Sequence, residues 1–497
     1  MIEFKRVSAK QYQFHSDIPK EISKFKDCFS IWVDGAQFSD KYKKGIWDGH
    51  VRLFDASNRF DIGLIDEAVY HMNKEDISVQ IVERDYRKVK IADLSFDSRL
   101  RPHQREGVSA FFEKNYGLMV VPTRGGKTFI SGEIIRHVIE QVENSLILFF
   151  VDTTDLFDQT IEELSKYLNV PENEIGTINS YGIKPKQVTV AMIQTVTSVF
   201  NRKKPEARDL ERYFKQVNFL IVDEVQEYLG DNRMKLIRKC SNVDFLLGLS
   251  ATPFKQMGNL ISNLKMKGYF GGIVYDVSKS RLQDEGYLAL DKAILISHTH
   301  DSKKVKQFMN LVGTEKYHKF LKKLIHENRD RNRIILDLIN MCDRNKWKTL
   351  VLFNSKQHGY LISDSSGKPF ISGDDDSKTR VEEKEKFLRG RGKILLASNI
   401  FKKGITLPEV EVLIIADGGL EGTSIVQKTG RVLGAVENKD RAVIIDIMDV
   451  ESEYFSEHSL NRLDVYSETI GNSRIECYED EDMREIEESI KSWFDEK

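Results

Sequence analysis

The run "LMVVPTRGGKTFI", residues 118–130, sets two glycines, a lysine and a hydroxyl between an apolar stretch and a helical pattern. Gly125 and Gly126 let the backbone close on an anion, because successive N–H groups at a helix N-terminus bind phosphate without help from a side chain. Lys127 is then placed to neutralise the β and γ phosphates of a nucleotide, and Thr128 to offer its hydroxyl to Mg2+. The strict spelling of such a loop has glycine where Val121 stands. Another spelling has glycine at Arg124, which is expected at the loop tip with a negative φ. Further on, "LIVDEVQE" ends an apolar run in two adjacent carboxylates. That pairing suits a division of roles: Asp223 holds Mg2+ through water, and Glu224 orients and deprotonates an attacking water. Alone, an Asp-Glu pair reads as a solvated turn; downstream of a Gly-Lys-Thr loop it points to hydrolysis of a bound nucleotide.

The elements that must position these groups are legible as a repeated theme. From about 100 to 280, runs rich in bulky apolar residues ("YGLMVV", "SLILFFV", "QVTVAM", "VNFLIV", "FLLGLS") each end in a polar loop, and a helical pattern follows most of them. Continuous apolar strands alternating with helices argue for a parallel sheet covered on both faces. Polar residues cluster after the strand C-termini, where open α/β sheets bind ligands. The theme restarts near 348 with "KTLVLF", "PFISG", "KILLAS", "EVLIIA" and "RAVIID". The fold class is therefore α/β, with two such domains in tandem. Residues 1 to about 95 alternate short apolar runs with turn signals and read as a small α+β domain. Residues 300–345 are basic and helical in pattern. The C-terminus carries Met483, Ile486, Ile490 and Trp493 at helical spacing, the mark of an acidic amphipathic helix packed on the body.

The bulk composition is that of a soluble globular chain of 497 residues, 40% hydrophobic and 31% charged. A net charge of −2 excludes a uniformly basic, DNA-coating protein but allows a local basic groove. Cys28, Cys240, Cys342 and Cys477 stand far apart, so reduced thiols in a cytoplasmic protein are expected, and not a zinc or iron–sulfur site. The N-terminus has no apolar core of a signal peptide, and no apolar run reaches about 18 residues, so no membrane contact is expected.

The order Gly-Gly-Lys-Thr, Asp-Glu-x-x, Ser-Ala-Thr and Gln-x-x-Gly-Arg resembles the superfamily 2 helicases. The resemblance implies two RecA-like domains, ATP with Mg2+ as cofactor, and nucleic acid as partner. Gln104 looks like the adenine-reading glutamine upstream of the phosphate loop. Ser250, Ala251 and Thr252 match the motif that couples the ATP site to nucleic acid. "VDTTDLFDQT" carries Asp152 where proline is usual, and "AMIQTV" places Gln194 and Thr195 to meet a backbone phosphate. Gln226 replaces a frequent histidine, keeping a hydrogen-bonding group and losing a titratable one. In the second domain, "ILLASNIFKKGITLPEV" resembles a motif with Gly404 beside phosphates and DNA. "QKTGRVLG" supplies Gln427 and the arginine finger Arg431, but Gly434 stands where a second arginine is usual. Arg431 must act alone, or Arg441 must help.

The segment "DGAQFSDKYKKGIWDGHVRLFDASNRFDIGL" is similar to the N-terminal domain of the UvsW-type helicases of phages. That resemblance implies branched, forked and single-stranded DNA as substrate, through fork regression, Holliday junction migration and removal of R-loops with their RNA–DNA hybrid. It also implies work in replication, recombination and repair in a host cell cytoplasm. A monomer is expected. The implied domains are 1–95, a small DNA-binding domain; 96–295 and 296–465, the two motor domains; and 466–497, the C-terminal helix. Lys43, Lys44, Trp47 and Arg52 are the candidate DNA contacts. The alternative is that Phe38, Trp47 and Leu53 form the core of a small domain and the lysines are solvated. The basic stretch around Lys319, Lys322, Lys323, Arg329, Arg331 and Arg333 either lines a DNA groove or is a solvated face. Two rival functions are a weakly hydrolysing DNA clamp or annealing protein, and an RNA helicase or restriction-complex motor.

Overall fold

A computed structural model of the chain describes residues 1–8, 10–83, 89–228, 231–254, 260–301, 305, 319, 321–390, 392–398, 407, 409–416, 418, 430, 439–450 and 453–496. The chain divides into two compact units, one of Met1–Val121 with Gly126–Val277, the other of Pro122–Gly125 with Ser278–Lys497.

The first unit opens with a four-stranded sheet in the order Arg59–Asp61, Gln11–His15, Ile2–Arg6, Val79–Val82. Alternation along these strands buries Ile2, Phe4, Tyr12 and Phe14 on one face. Helices Pro19–Cys28 and Ile65–Lys74 cover that face, adding Phe25 and Met72 to an aromatic core in which the Phe14 and Phe25 ring centroids are 4.0 Å apart. This is the α+β arrangement expected of the N-terminal region.

Beside it, among the described residues, eight strands form a single sheet. Their order is Gly182–Lys184, Gly176–Asn179, Val188–Met192, Ile147–Val151, Phe219–Asp223, Phe245–Ser250, Tyr116–Val120, Ile273–Asp276. Every pairing is parallel except that of Gly182–Lys184 with Gly176–Asn179. The central strands are apolar on both sides because helices lie over both faces, as their unbroken apolar runs anticipate.

The second unit holds a seven-stranded, all-parallel sheet. Its order is Phe370–Ile371, Ile394–Ser398, Thr349–Phe353, Val412–Ile415, Arg441–Asp449, Leu290–His298, Ile475–Glu479. Two features differ from the sequence reading. Leu290–His298 pairs inside this sheet, so the second sheet takes residues from before position 296. Ile475–Glu479, within the stretch read as helical, is an edge strand; its short length and flanking charges hide it from a periodicity argument. The helix Met483–Asp495 follows, burying Ile486, Ile490 and Trp493 as its spacing anticipates.

The N-terminal sheet is tied to the large sheet of the same unit. Lys10 Nζ donates to the Cys240 carbonyl at 2.8 Å, Arg238 Nη1 to Asp61 Oδ1 at 2.9 Å, and Lys267 pairs with Glu67. Helix Leu260–Phe270 packs on the turn Ile62–Leu64 so closely that a Cβ on Gly63 would lie 1.8 Å from the Lys267 carbonyl oxygen. Backbone cannot yield as a side chain does. Gly63→Ala is therefore expected to part this seam at a cost of about 1–3 kcal/mol, read as a lowered midpoint in thermal unfolding and faster proteolysis of the N-terminal segment.

Candidate nucleotide and nucleic-acid site

Three neighbouring strands bring the chemistry together. Phe245–Ser250 pairs on one side with Phe219–Asp223, Asp223 opposite Leu249, and on the other with Tyr116–Val120, Ser250 opposite Val120. Val121 N donates to the Ser250 carbonyl at 3.0 Å, which prolongs the pairing into the phosphate-type loop. The loop turns through Gly125 N to the Pro122 carbonyl, 2.9 Å, and enters helix Lys127–Gln141 with Gly126 as its N-cap. Gly126 has φ +87°, and a Cβ there would come within 2.0 Å of Gln104 Nε2. The left-handed conformation favours glycine at this position, and a Cβ would also displace the Gln104 amide. Arg124 has φ +70°, the left-handed region, in place of the negative φ expected from sequence. A non-glycine residue held there stores strain, and the chain accepts it to turn into the helix within the few residues available.

Lys127 and Glu224 meet across the loop, Nζ to Oε1 at 3.1 Å. Burial works against the charge of Lys127, but Glu224 and Asp223 more than offset it, and its pKa lies above the usual lysine value. Burial pushes the Asp223 carboxyl up to about 6, against the pull of Lys127. Glu224 also has a positive φ, +49°, and its backbone N–H donates to the neighbouring Asp223 Oδ1 at 2.9 Å. From Glu224 the contacts continue inward. Gln226 Nε2 donates to Glu224 Oε2 at 2.7 Å, Ser250 Oγ donates to Gln226 Oε1 at 2.6 Å, and Thr252 N donates to Ser250 Oγ at 2.9 Å. Ser250 is fully buried, and Ala251 and Thr252 are half-buried. Thus the amide at 226 bridges the acidic pair to the Ser-Ala-Thr turn without a titratable group.

Gln104 is buried. Its Oε1 accepts from Arg101 N at 2.9 Å, closing the N-terminus of helix Pro102–Lys114, while Nε2 faces the glycine loop. Thr128 lies in the first turn of helix Lys127–Gln141. Its hydroxyl and the Asp223 carboxylate are hard oxygen donors of the kind Mg2+ takes, a cation that keeps several waters and needs only one or two protein ligands beside phosphates.

Further along the same sheet edge, Gln194 is exposed at the start of helix Ile193–Asn201 and donates to the Asp152 carbonyl at 3.0 Å; Thr195 follows, half-buried. The buried Asp152 carboxylate pairs with Arg233 at 2.9 Å. Asp152 stands out in the sequence, but Arg233 does not, because 81 positions separate the two and no spacing signal links them.

In the N-terminal region, Lys43 and Lys44 are exposed, Trp47 is half-buried with Nε1 donating to the His50 carbonyl at 2.8 Å, and Arg52 is ion-paired with Asp48. Leu53 packs on the aromatic core, but Phe38 does not; it is 72% exposed, which removes it from the small-domain core. In the second unit, Lys319, Lys322, Lys323, Arg329 and Arg333 are exposed. Arg331 is not on that face. It is fully buried, with Nε on Asp449 Oδ1 at 2.9 Å and Nη1 on the Ala416 carbonyl at 2.7 Å. Arg441 begins strand Arg441–Asp449, at the end opposite the C-terminal edge where ligands bind, and is held by Glu496 at 2.7 Å and the Trp493 ring. Its position does not suit a helper to a finger. Gly404, Gln427, Arg431 and Gly434 lie outside the described residues.

Three family models match the chain: "DNA helicase UvsW, N-terminal" over residues 2–82, "Type III restriction enzyme, res subunit" over 97–255, and "Helicase conserved C-terminal domain" over 315–434. The chain is similar to the ATP-dependent DNA helicase uvsW of Enterobacteria phage T4, 24% identical over 93% of this chain and 95% of that protein. It is similar also to the DNA 3'-5' translocase XPB2 of Sulfurisphaera tokodaii, 25% identical over 84% and 95%. Among solved structures, a fragment of a putative HsdR subunit of a type I restriction enzyme from Vibrio vulnificus shares the fold, with TM-score 0.56 and 16% identity over 84% of this chain and 74% of that one. Because Gly126 is confined by Gln104 and by its φ, Gly126→Ala is expected to remove nucleotide binding in a titration with a fluorescent ATP analogue, with far-UV circular dichroism unchanged.

Proposed function

We propose that this chain, which belongs to the UvsW-like superfamily 2 helicases and is an ATP-dependent helicase, spends ATP to remodel branched DNA: it regresses forks, migrates four-way junctions and clears R-loops. The observation that carries the reading is the unbroken chain of contacts Lys127–Glu224–Gln226–Ser250 at the C-terminal edge of three paired strands, next to a glycine-capped helix N-terminus. Such a chain suits a machine in which occupancy of the phosphate site is felt at the Ser-Ala-Thr turn.

The roles proposed for the residues follow from their chemistry. The Lys127 ammonium, which holds Glu224 in this structure, transfers to the β and γ phosphates and frees that carboxylate. Glu224 then accepts the proton of the attacking water. Gln226, bonded to both Glu224 and Ser250, keeps the base oriented and passes its position to Thr252. Gln104 is suited to read the base of the nucleotide. Thr128 and Asp223 are the proposed holders of Mg2+, which would supply charge neutralisation on the phosphates. Arg431 is the proposed finger for charge developing on the γ phosphate.

Branched DNA is favoured over RNA by the N-terminal region, residues 2–82, since the motor motifs are shared by helicases of both kinds. A monomer acting in the cytoplasm of the cell is part of the same reading. The reading is tested by ATP turnover on single-stranded, duplex, forked and four-way DNA and on RNA; it requires the forked and four-way DNA to be unwound or migrated, and equal work on RNA hairpins would overturn it. Lys127→Ala is expected to abolish turnover while nucleotide-free DNA binding survives. Glu224→Gln should bind ATP and hydrolyse it at least about 100-fold more slowly in single-turnover assays. Arg431→Ala should lower DNA-stimulated turnover by at least about 100-fold with a smaller change in ATP affinity; a mild effect would hand the finger to another cation.

A further inference from the structure

Residues 30–52 build a feature that the nucleotide site does not use. Ser30–Trp32 pairs antiparallel with His50–Arg52, and the chain between them makes the short helix Asp40–Lys43 and a tight loop. Gly45 and Gly49, at φ +65° and +82°, turn the chain back on itself. Ile46 N then donates to the Lys41 carbonyl at 2.9 Å, and Trp47 Nε1 anchors the loop on His50. Trp32 stands edge-on to Tyr42, with ring centroids 5.6 Å apart, and lies so close to Gly49 that a Cβ there would be 2.3 Å from the indole.

The loop is thus well anchored, yet it presents large apolar groups to solvent: Phe38 is 72% exposed, Ile46 73%, Trp32 40% and Tyr42 37%. Neighbouring aromatic and aliphatic groups left in water mark a contact surface more often than chance exposure does. Beside them lies an open cavity of about 650 Å3 lined by Tyr42, Gly45, Ile46, Trp47, Asp48 and Arg52. Lys41, Lys43 and Lys44 lie exposed on the same loop, and no ion pair to a carboxylate holds them among the described residues. A cleft with an aromatic and aliphatic wall, a polar end and exposed lysines on the same loop fits a ligand that is flat and apolar in one part and anionic in the next, which is the chemistry of a nucleotide strand. An intact duplex keeps its base faces stacked and offers only edges and phosphates. An unpaired base offers a face.

The geometry points to this cleft as a stacking site for an unpaired nucleobase at a DNA branch, with Tyr42, Ile46 and Trp47 against the base and Lys41, Lys43 and Lys44 on the flanking phosphates. The inference rests on the branched-DNA reading above and gives it a substrate feature, the unpaired base beside the junction. Asp48 and Arg52, bound to each other, form the polar end of the cleft, so Arg52 serves here as a wall and not as a free phosphate cation.

The test uses the full chain and forked DNA carrying 2-aminopurine unpaired beside the branch, with the same base paired in a duplex as control. The parent protein is expected to quench the bright unpaired probe and to leave the already dim, stacked signal of the paired one unchanged. Tyr42→Ala and Ile46→Ser, both at exposed positions, should lose the quench and weaken fork binding about tenfold with the salt slope unchanged. Lys43→Ala with Lys44→Ala should keep the quench and flatten the salt slope by about 0.7–0.9 per contact. Tyr42→Ala and Ile46→Ser proteins of parental melting temperature that quench and bind forks like the parent would overturn the inference. ATP turnover on plain single-stranded DNA separates the two levels: a parent that DNA does not stimulate overturns the helicase reading and this inference with it, whereas a stimulated parent with silent Tyr42 and Ile46 variants overturns the stacking site alone.

Discussion

The parallel register of three strands is the constraint on which the rest depends. Phe245–Ser250 lies between Phe219–Asp223 and Tyr116–Val120, and the ends of all three stop at one level. That alignment puts the glycine loop, the acidic pair and the Ser-Ala-Thr turn within one or two hydrogen bonds of each other. A slip of one residue in any strand would turn its side chains to the opposite face and break the chain from Lys127 to Thr252. The strands resist such a slip because Leu118, Leu148, Phe150, Leu220, Val222 and Leu246 interlock in one close-packed cluster, which a shifted register would have to rebuild.

The site at that edge carries the costs that the core does not. Lys127 and Glu224 are both largely withdrawn from water, and each alone would be an uncompensated charge; together they hold one another until another partner arrives. Arg124 and Glu224 both adopt left-handed φ values that non-glycine residues avoid. Strained backbone and paired charge collect at functional sites more often than elsewhere in a fold. Gln226 adds a link between Glu224 and Ser250 that does not itself titrate.

The N-terminal region shows the same physics with the opposite result. Its sheet buries a dense group of phenylalanines and is seated on the large sheet through Gly63, Asp61 and Lys10. Its loop after Trp32 leaves apolar groups outside. A chain that buries Phe4, Phe14, Phe25 and Phe60 completely while leaving Phe38 and Ile46 in water has separated packing from contact. The seat on the large sheet is made by Lys10, Asp61, Gly63 and Glu67, and the loop takes no part in it.

Much of this was determined by the sequence itself. The apolar runs ending in polar loops marked the parallel strands, and Gly125, Gly126, Lys127, Asp223 and Glu224 could be singled out from their types and spacing, because strand burial and the passage from strand to loop to helix are local properties written in consecutive residues. The tertiary structure alone decided what depends on distant partners. Phe38 and Phe25 are the same residue type, yet one faces water and the other the core. Arg331 sits in a basic stretch but is buried on Asp449, and Arg233 finds Asp152 across the sheet. Leu290–His298 and Ile475–Glu479 join the second sheet from opposite ends of its sequence. Local patterns state which groups are present and which way a segment prefers to fold; only packing between segments far apart in the chain settles which charges are paired and which apolar faces remain open.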